Sequence, residues 1–170
     1  MPFLGFAEAF VFARLRRAGV RDRVIRAGVD AVRRRWGLEF ALASQLLWTD
    51  KSEVLWGHTS RDLEVARTGQ GQFTDLVRER LELITYAEED GYAARIQLPQ
   101  FKITRVIVDP EVAFGYPLVE PAGARVKDIV DRFWAGDSME DIALDLEVPL
   151  ESVEEVIRAQ TRPPQGIAAA

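Results

Sequence analysis

An α+β architecture follows from this 170-residue sequence: an N-terminal helix pair, a small antiparallel β region, and a C-terminal three-helix domain with helix-turn-helix spacing. Apolar residues recur every three or four positions from Phe6 to Trp36, the period of a half-buried helix. Short aromatic and β-branched runs flanking turn residues then replace that period. A last β-branched run after Thr104 gives way to helical spacing again. These shifts divide the chain into residues 1–103, residues 104–160 and a loose tail, 161–170.

The first helix is expected from Glu8 to Arg17, with Phe6, Phe10, Val11 and Leu15 at helical spacing. Ala18-Gly19 breaks it. Asp22 to Trp36 forms the second helix, placing Val24, Ile25, Val29, Val32 and Trp36 on one face. Arg26, Arg33 and Arg34 fall on other faces, where Asp22–Arg26 and Asp30–Arg34 pairs four apart would each add a few tenths of a kcal/mol. Gln45 to Thr49 and Glu53 to Gly57, bracketing Asp50-Lys-Ser, read as a hairpin bearing Trp48 and Trp56. Thr68-Gly-Gln-Gly-Gln72 is a joint, and a helix follows from about Thr74 to Leu83. Ile84 to Ala87 and Tyr92 to Leu98 then flank Glu88-Glu-Asp-Gly91, whose Asp-Gly pair suits a tight hairpin turn.

The C-terminal stretch carries the most information. A strand-like run, Arg105 to Pro110, leads through Phe114-Gly-Tyr-Pro117 into three short helices. Asp137 or Ser138 can cap the middle one, with Glu140 and Asp141 favourably placed at its N-terminus. Ala143 is the small residue at which two helices cross, with Ile142 and Leu146 facing the core. Val148 fills the turn, and Val153, Val156 and Ile157 line the inner face of the last helix. This is helix-turn-helix spacing, except that Glu147 stands where Gly is usual. A non-Gly residue at φ > 0 there would cost about 1 kcal/mol.

Composition bounds the chemistry. The chain is 48% hydrophobic and 29% charged, a globular balance. It has no cysteine, so neither a disulfide framework nor a thiolate metal site can form, which fits a cytoplasmic protein. Phe3 to Val11 is too short, and too soon interrupted by Glu8 and Arg14, for a signal peptide or a membrane span. The net charge of −5 hides an asymmetry. Residues 1–38 hold nine Arg and three acids, a net of +6, whereas 137–160 hold eight acids and one Arg, a net of −7. A basic surface for an anionic partner and an acidic one for something else are implied.

No enzymatic constellation is present. His58 is the sole histidine, which excludes a two-histidine metal site. Ser44, Ser52, Ser60 and Ser138 could be set beside it on paper, but none sits in a G-x-S-x-G elbow. The Glu88–Asp90 acids read as solvated turn residues. Trp134 and the other tryptophans read as core or interface. The chain is expected to be no enzyme and to need no cofactor or metal.

Phe114-Gly-Tyr-Pro-Leu-Val119, Gly123-Ala-Arg-Val126, Phe133-Trp-Ala-Gly136 and the helix pair resemble a small bacterial domain of the VapB-type antitoxins. The pattern there is F-G-x-P-x-I-x-G-T-R-[IV]-x-V followed by G-x-[ST]-x-[ED]-[ED]-[IL]-A. Glu120-Pro-Ala-Gly-Ala-Arg-Val alters and lengthens the G-T-R element, while Arg125-Val126 is retained. The resemblance extends upstream through Phe10–Gly19, Val24–Trp36, Ala41–Ser44 and Leu47–Asp50. Longer relatives begin with a MerR-like winged helix-turn-helix, and this chain is expected to start about where that unit ends.

The resemblance implies an antitoxin of a type II toxin–antitoxin pair. Such a protein neutralises a PIN-like ribonuclease toxin, forms a homodimer and regulates transcription from its operator DNA. An arginine delivered into the toxin's carboxylate cluster would displace its magnesium. Arg158 and Arg162 are candidates, because the helix ends there and Pro163-Pro164 leaves the fold. Arg125 is the alternative, and all three read equally as solvated charges. For DNA the candidates are Arg26, Arg33, Arg34 and Arg35. The last helix, Leu150 to Arg158, is expected to expose Glu151, Glu154 and Glu155 against Arg158 alone, which opposes phosphate contact. A protein–protein module that binds no DNA is therefore the alternative reading.

Overall fold

The computed structural model describes residues 3–17, 19–45 and 82–161, and the chain divides into two compact units, Met1–Ile96 and Gln97–Ala170. The expected Gln45–Gly57 hairpin with Trp48 and Trp56 falls largely outside the described residues. So do the Thr68–Gln72 joint, nearly all of the Thr74–Leu83 helix, Ser52, His58, Ser60, and Arg162 with the rest of the tail.

In the first unit, α1 (Phe3–Arg17) starts five residues earlier than the sequence pattern suggests, and α2 (Asp22–Trp36) has the expected bounds. Ala7, Val11 and Leu15 are buried on α1, and Val24, Ile25, Val29 and Val32 on α2, each set at helical spacing. Gly19 makes the break at φ 89, its N–H donating to the Arg16 carbonyl at 2.9 Å. Arg16 then pairs with Asp22 at 2.8 Å, so Asp22 is held across the turn and not by Arg26 along its own helix. Gly37, at φ 67, ends α2 by donating to the Arg33 carbonyl. A 3-10 turn, Ala41–Ala43, is fully buried and packs against α1. The Glu8 carboxylate ties these pieces together, accepting from Leu42 N–H at 3.2 Å and from Arg33 at 3.1 Å.

Strands β1 (Ile84–Tyr86) and β2 (Ala93–Gln97) pair antiparallel, Ile84 opposite Ile96 and Thr85 opposite Arg95. The turn between them is wider than a two-residue Asp-Gly hairpin. Gly91 N–H donates back to the Ala87 carbonyl, Tyr92 N–H to Asp90 Oδ1, and a bulge follows Thr85. The physical reason is the single positive φ, 69° at Gly91, where a type I′ turn would need two. Glu88, Glu89 and Asp90 are exposed, as turn acids should be.

The second unit contains more strand than its sequence suggests. Strand β3 (Val106–Val108) pairs antiparallel with β4 (Leu118–Val119), which pairs with β5 (Ala124–Arg125). The two short strands occupy the altered Glu120–Val126 stretch, too brief to show a period of two. Three helices follow: α3 (Val126–Ala135), α4 (Met139–Asp145) and α5 (Leu150–Thr161). Ser138 is the N-cap of α4, its Oγ accepting from Asp141 N–H at 3.1 Å. Glu147 does occupy a left-handed position, φ 53, between α4 and α5. That costs about 1 kcal/mol relative to Gly. Ile129, Ile142, Val148, Val153, Val156 and Ile157 form one buried cluster, while Leu146 is half-buried. Arg132 fastens the outside, reaching Asp137 at 2.6 Å and Asp145 at 2.8 Å.

Candidate functional site

Three of the four arginines considered for DNA are engaged within the first unit. Arg33 is bonded to Glu8, Arg26 lies 5.8 Å from the Phe12 ring centre, and Arg35 lies 5.4 Å from that of Trp36. Arg33, Arg34 and Arg35 occupy the last turn of α2, where cations are favoured by the exposed carbonyls. Being consecutive, they point about 100° apart around the helix and make no single stripe. This arrangement is that of a solvated, self-paired helix end.

The arginines considered for a toxin stand apart from one another. Arg125 sits where β5 runs into α3 and pairs with Asp128 at 2.7 Å. Arg158, on the last turn but one of α5, is exposed and 3.6 Å from Glu154. Arg162 lies outside the described residues.

The acidic face of α5 differs from the expected one. Glu151 and Glu154 are exposed, but Glu155 is buried. Its carboxylate accepts from the backbone N–H groups of Lys102, Ile103 and Thr104, at 2.5 to 3.1 Å. Three successive N–H groups make a concavity suited to an anion, and a side chain of the same unit fills it. Burial alone would raise the Glu155 pKa; these hydrogen bonds outweigh it and hold the group below the usual carboxylate range. Glu155 stands about 200° around the helix from Val153, so helical periodicity assigns it to solvent. A bend 51 to 53 residues away in sequence covers it instead.

Sequence reasoning also left the Phe114 loop without a role. Phe114 is 95% exposed, Tyr116 51% and Val112 44%. Ala113 and Phe114 both adopt positive φ, 47° and 57°, ahead of Gly115 at 77°. Trp134, read as core or interface, is 69% exposed, packed edge-to-face on Phe133. Neither remaining serine resembles a nucleophile: Ser44 is buried and Ser138 is occupied as a cap. Among the described residues, no group of three His, Cys, Asp or Glu could hold a metal ion, and no helix is long and apolar enough to cross a membrane.

Residues 106–158 match the model of a family described as "Protein of unknown function (DUF433)". The chain is 35% identical over 171 residues to a Mycobacterium tuberculosis (strain ATCC 25618 / H37Rv) protein named "Putative antitoxin VapB45". That similarity spans 94% of this chain and 71% of the relative. The chain belongs to the VapB-type antitoxin family. The fold agrees: the X-ray crystal structure of Rv2018 from Mycobacterium tuberculosis superposes with a TM-score of 0.75 at 31% identity, covering 92% of this chain and 78% of that one. In this family member the matched segment runs from the start of β3 to Arg158 on α5, and so takes in the Phe114 loop and the Glu155 clamp. The helix pair of the first unit lies outside that segment but within the reach of the antitoxin relative.

Proposed function

We propose that this chain is the antitoxin of a type II toxin–antitoxin pair, a cytoplasmic homodimer that binds and neutralises a PIN-like ribonuclease. The observation that carries the reading is identity across nearly the whole chain, both units included, to a protein named as an antitoxin. Neutralisation runs through an arginine aimed at the carboxylates that hold the toxin's magnesium. Arg158 is supported by its exposure near the end of α5, with only a 3.6 Å contact to Glu154 to give up. Arg162 follows it in sequence, and Arg125 is the alternative, at the cost of a 2.7 Å pair with Asp128. Co-expressed with its ribonuclease, the Arg158→Ala, Arg162→Ala double variant should still bind but leave nuclease activity unblocked. Full inhibition by that variant would dismiss the tail, and loss of inhibition with Arg125→Ala would move the role to that residue.

DNA contact is the weaker part of the reading. Glu151 and Glu154 face solvent on α5, and Arg158, its one basic residue, lies beside Glu154. Arg26, Arg33, Arg34 and Arg35 on α2 are then the phosphate contacts, most of them already engaged by Glu8, Phe12 and Trp36. These contacts favour a protein-binding module over a strong operator binder. Duplex DNA should bind weakly and with a steep loss as salt rises. Charge reversal of Arg33, Arg34 and Arg35 should abolish what binding there is. Nanomolar, salt-tolerant binding to one site would contradict this.

A further inference from the structure

The Phe114 loop is an apolar anchor held ready for a partner. Phe114, Tyr116 and Val112 stand exposed within five residues, and two non-glycine residues there adopt left-handed backbone, at about 1–2 kcal/mol each. The loop is nonetheless firmly bonded. Glu111 N–H donates to Asp109 Oδ1 at 2.9 Å and Val112 N–H to the Asp109 carbonyl at 3.2 Å. Gly115 and Tyr116 N–H donate to the Val112 and Ala113 carbonyls, each at 3.1 Å. Asp109, at the root, is buried. A side chain displayed in one fixed geometry loses little entropy on docking, which is what an interface hot spot requires.

Charge selects the occupant. Residues 97–170 contain seven Lys or Arg against thirteen Asp or Glu, a net of −6, while residues 1–38 carry +6. Two copies brought together through their second units would repel. Second unit against first unit is attractive. The first unit also has a matching socket, a shallow cleft lined by Arg33, Gly37, Leu38, Glu39 and Phe40. Gly37 leaves open space above it, since a Cβ there would meet nothing within 4 Å. An aromatic ring entering the cleft meets Phe40 and Leu38 and lies beside the Arg33 guanidinium. Glu111, three residues before Phe114, is exposed and suited to Arg34 or Arg35. Because Phe114 is 95% exposed in its own chain, its own cleft is not what covers it.

We propose that a second copy of this chain covers the loop, Phe114 of each copy seating in the Arg33–Phe40 cleft of the other. A two-fold axis makes the contact twice. With about 150–250 Å² buried per aromatic and as much again on each socket, the pair of contacts reaches the ~1,200–2,000 Å² of a specific interface. The proposal rests on the homodimer of the preceding reading and assigns its interface.

The chain has no cysteine, so crosslinks can be placed without background. Light scattering of the full chain at tens of micromolar should give a dimer. Phe114→Ser, at a site too exposed to disturb folding, should weaken it at least tenfold, and Glu111→Arg should weaken it too. Oxidised Phe114→Cys, Leu38→Cys double variant should run as a covalent dimer on a non-reducing gel, and neither single variant should. A monomeric wild type would overturn both the homodimer and this interface. A dimer unchanged by Phe114→Ser, or Phe114→Cys alone crosslinking to itself, would overturn the interface and leave the homodimer standing.

Discussion

Replacing Glu155 with alanine is expected to destabilise the second unit by about 2–4 kcal/mol. Three backbone donors lose their acceptor together, and an unsatisfied buried N–H costs about 1–3 kcal/mol. The total stays below three times that figure because only the Thr104 N–H is fully enclosed; those of Lys102 and Ile103 are part-buried and can regain water. Glu155→Gln keeps an acceptor and should cost less. The pH dependence has a definite sign. A carboxylate whose folded pKa lies below its unfolded value contributes stability that is present above the unfolded pKa, about 4.3, and lost as pH falls through the folded pKa. The gap between wild type and Glu155→Gln in urea unfolding should therefore be full at pH 7 and shrink at acid pH below ~4. A gap that widened on acidification would show that Glu155 is not ionised in the fold.

Ile142→Ala should be the other large loss, about 2–5 kcal/mol. Ile142 is fully buried on a seven-residue helix, too short to be stable without its packing. Leu144→Ala, two residues away and 78% exposed, should stay within about 0.5 kcal/mol in the same denaturant titration. Equal losses at the two positions would mean that α4 presents a different face to α3 and α5.

Local signals were sufficient wherever one element could be judged from its own residues. The bounds of α2 follow from an unbroken period of 3.6 that opens at Asp22 and closes before Gly37. Ser138 caps α4 because its hydroxyl reaches an N–H only three residues on, and Glu147 adopts positive φ where the helix-turn-helix spacing requires a turn. The VapB-type family itself is legible from Phe114-Gly-Tyr-Pro117 and the helix pair that follows.

What depended on distant partners was not legible. Strands β4 and β5 are two residues each, and only pairing with β3 makes them strands. Asp22 takes Arg16 over Arg26 because the Gly19 turn brings α1 back to it. Glu155 shares helical spacing with solvated acids, and its role depends on three N–H groups from a bend more than fifty residues away. The exposure of Phe114 likewise comes from a run of positive φ that turns the ring away from the unit's core. A sequence carries periodicity and capping chemistry within a few residues, but not which remote backbone donor or surface will meet a given side chain; that is settled when non-local segments pack.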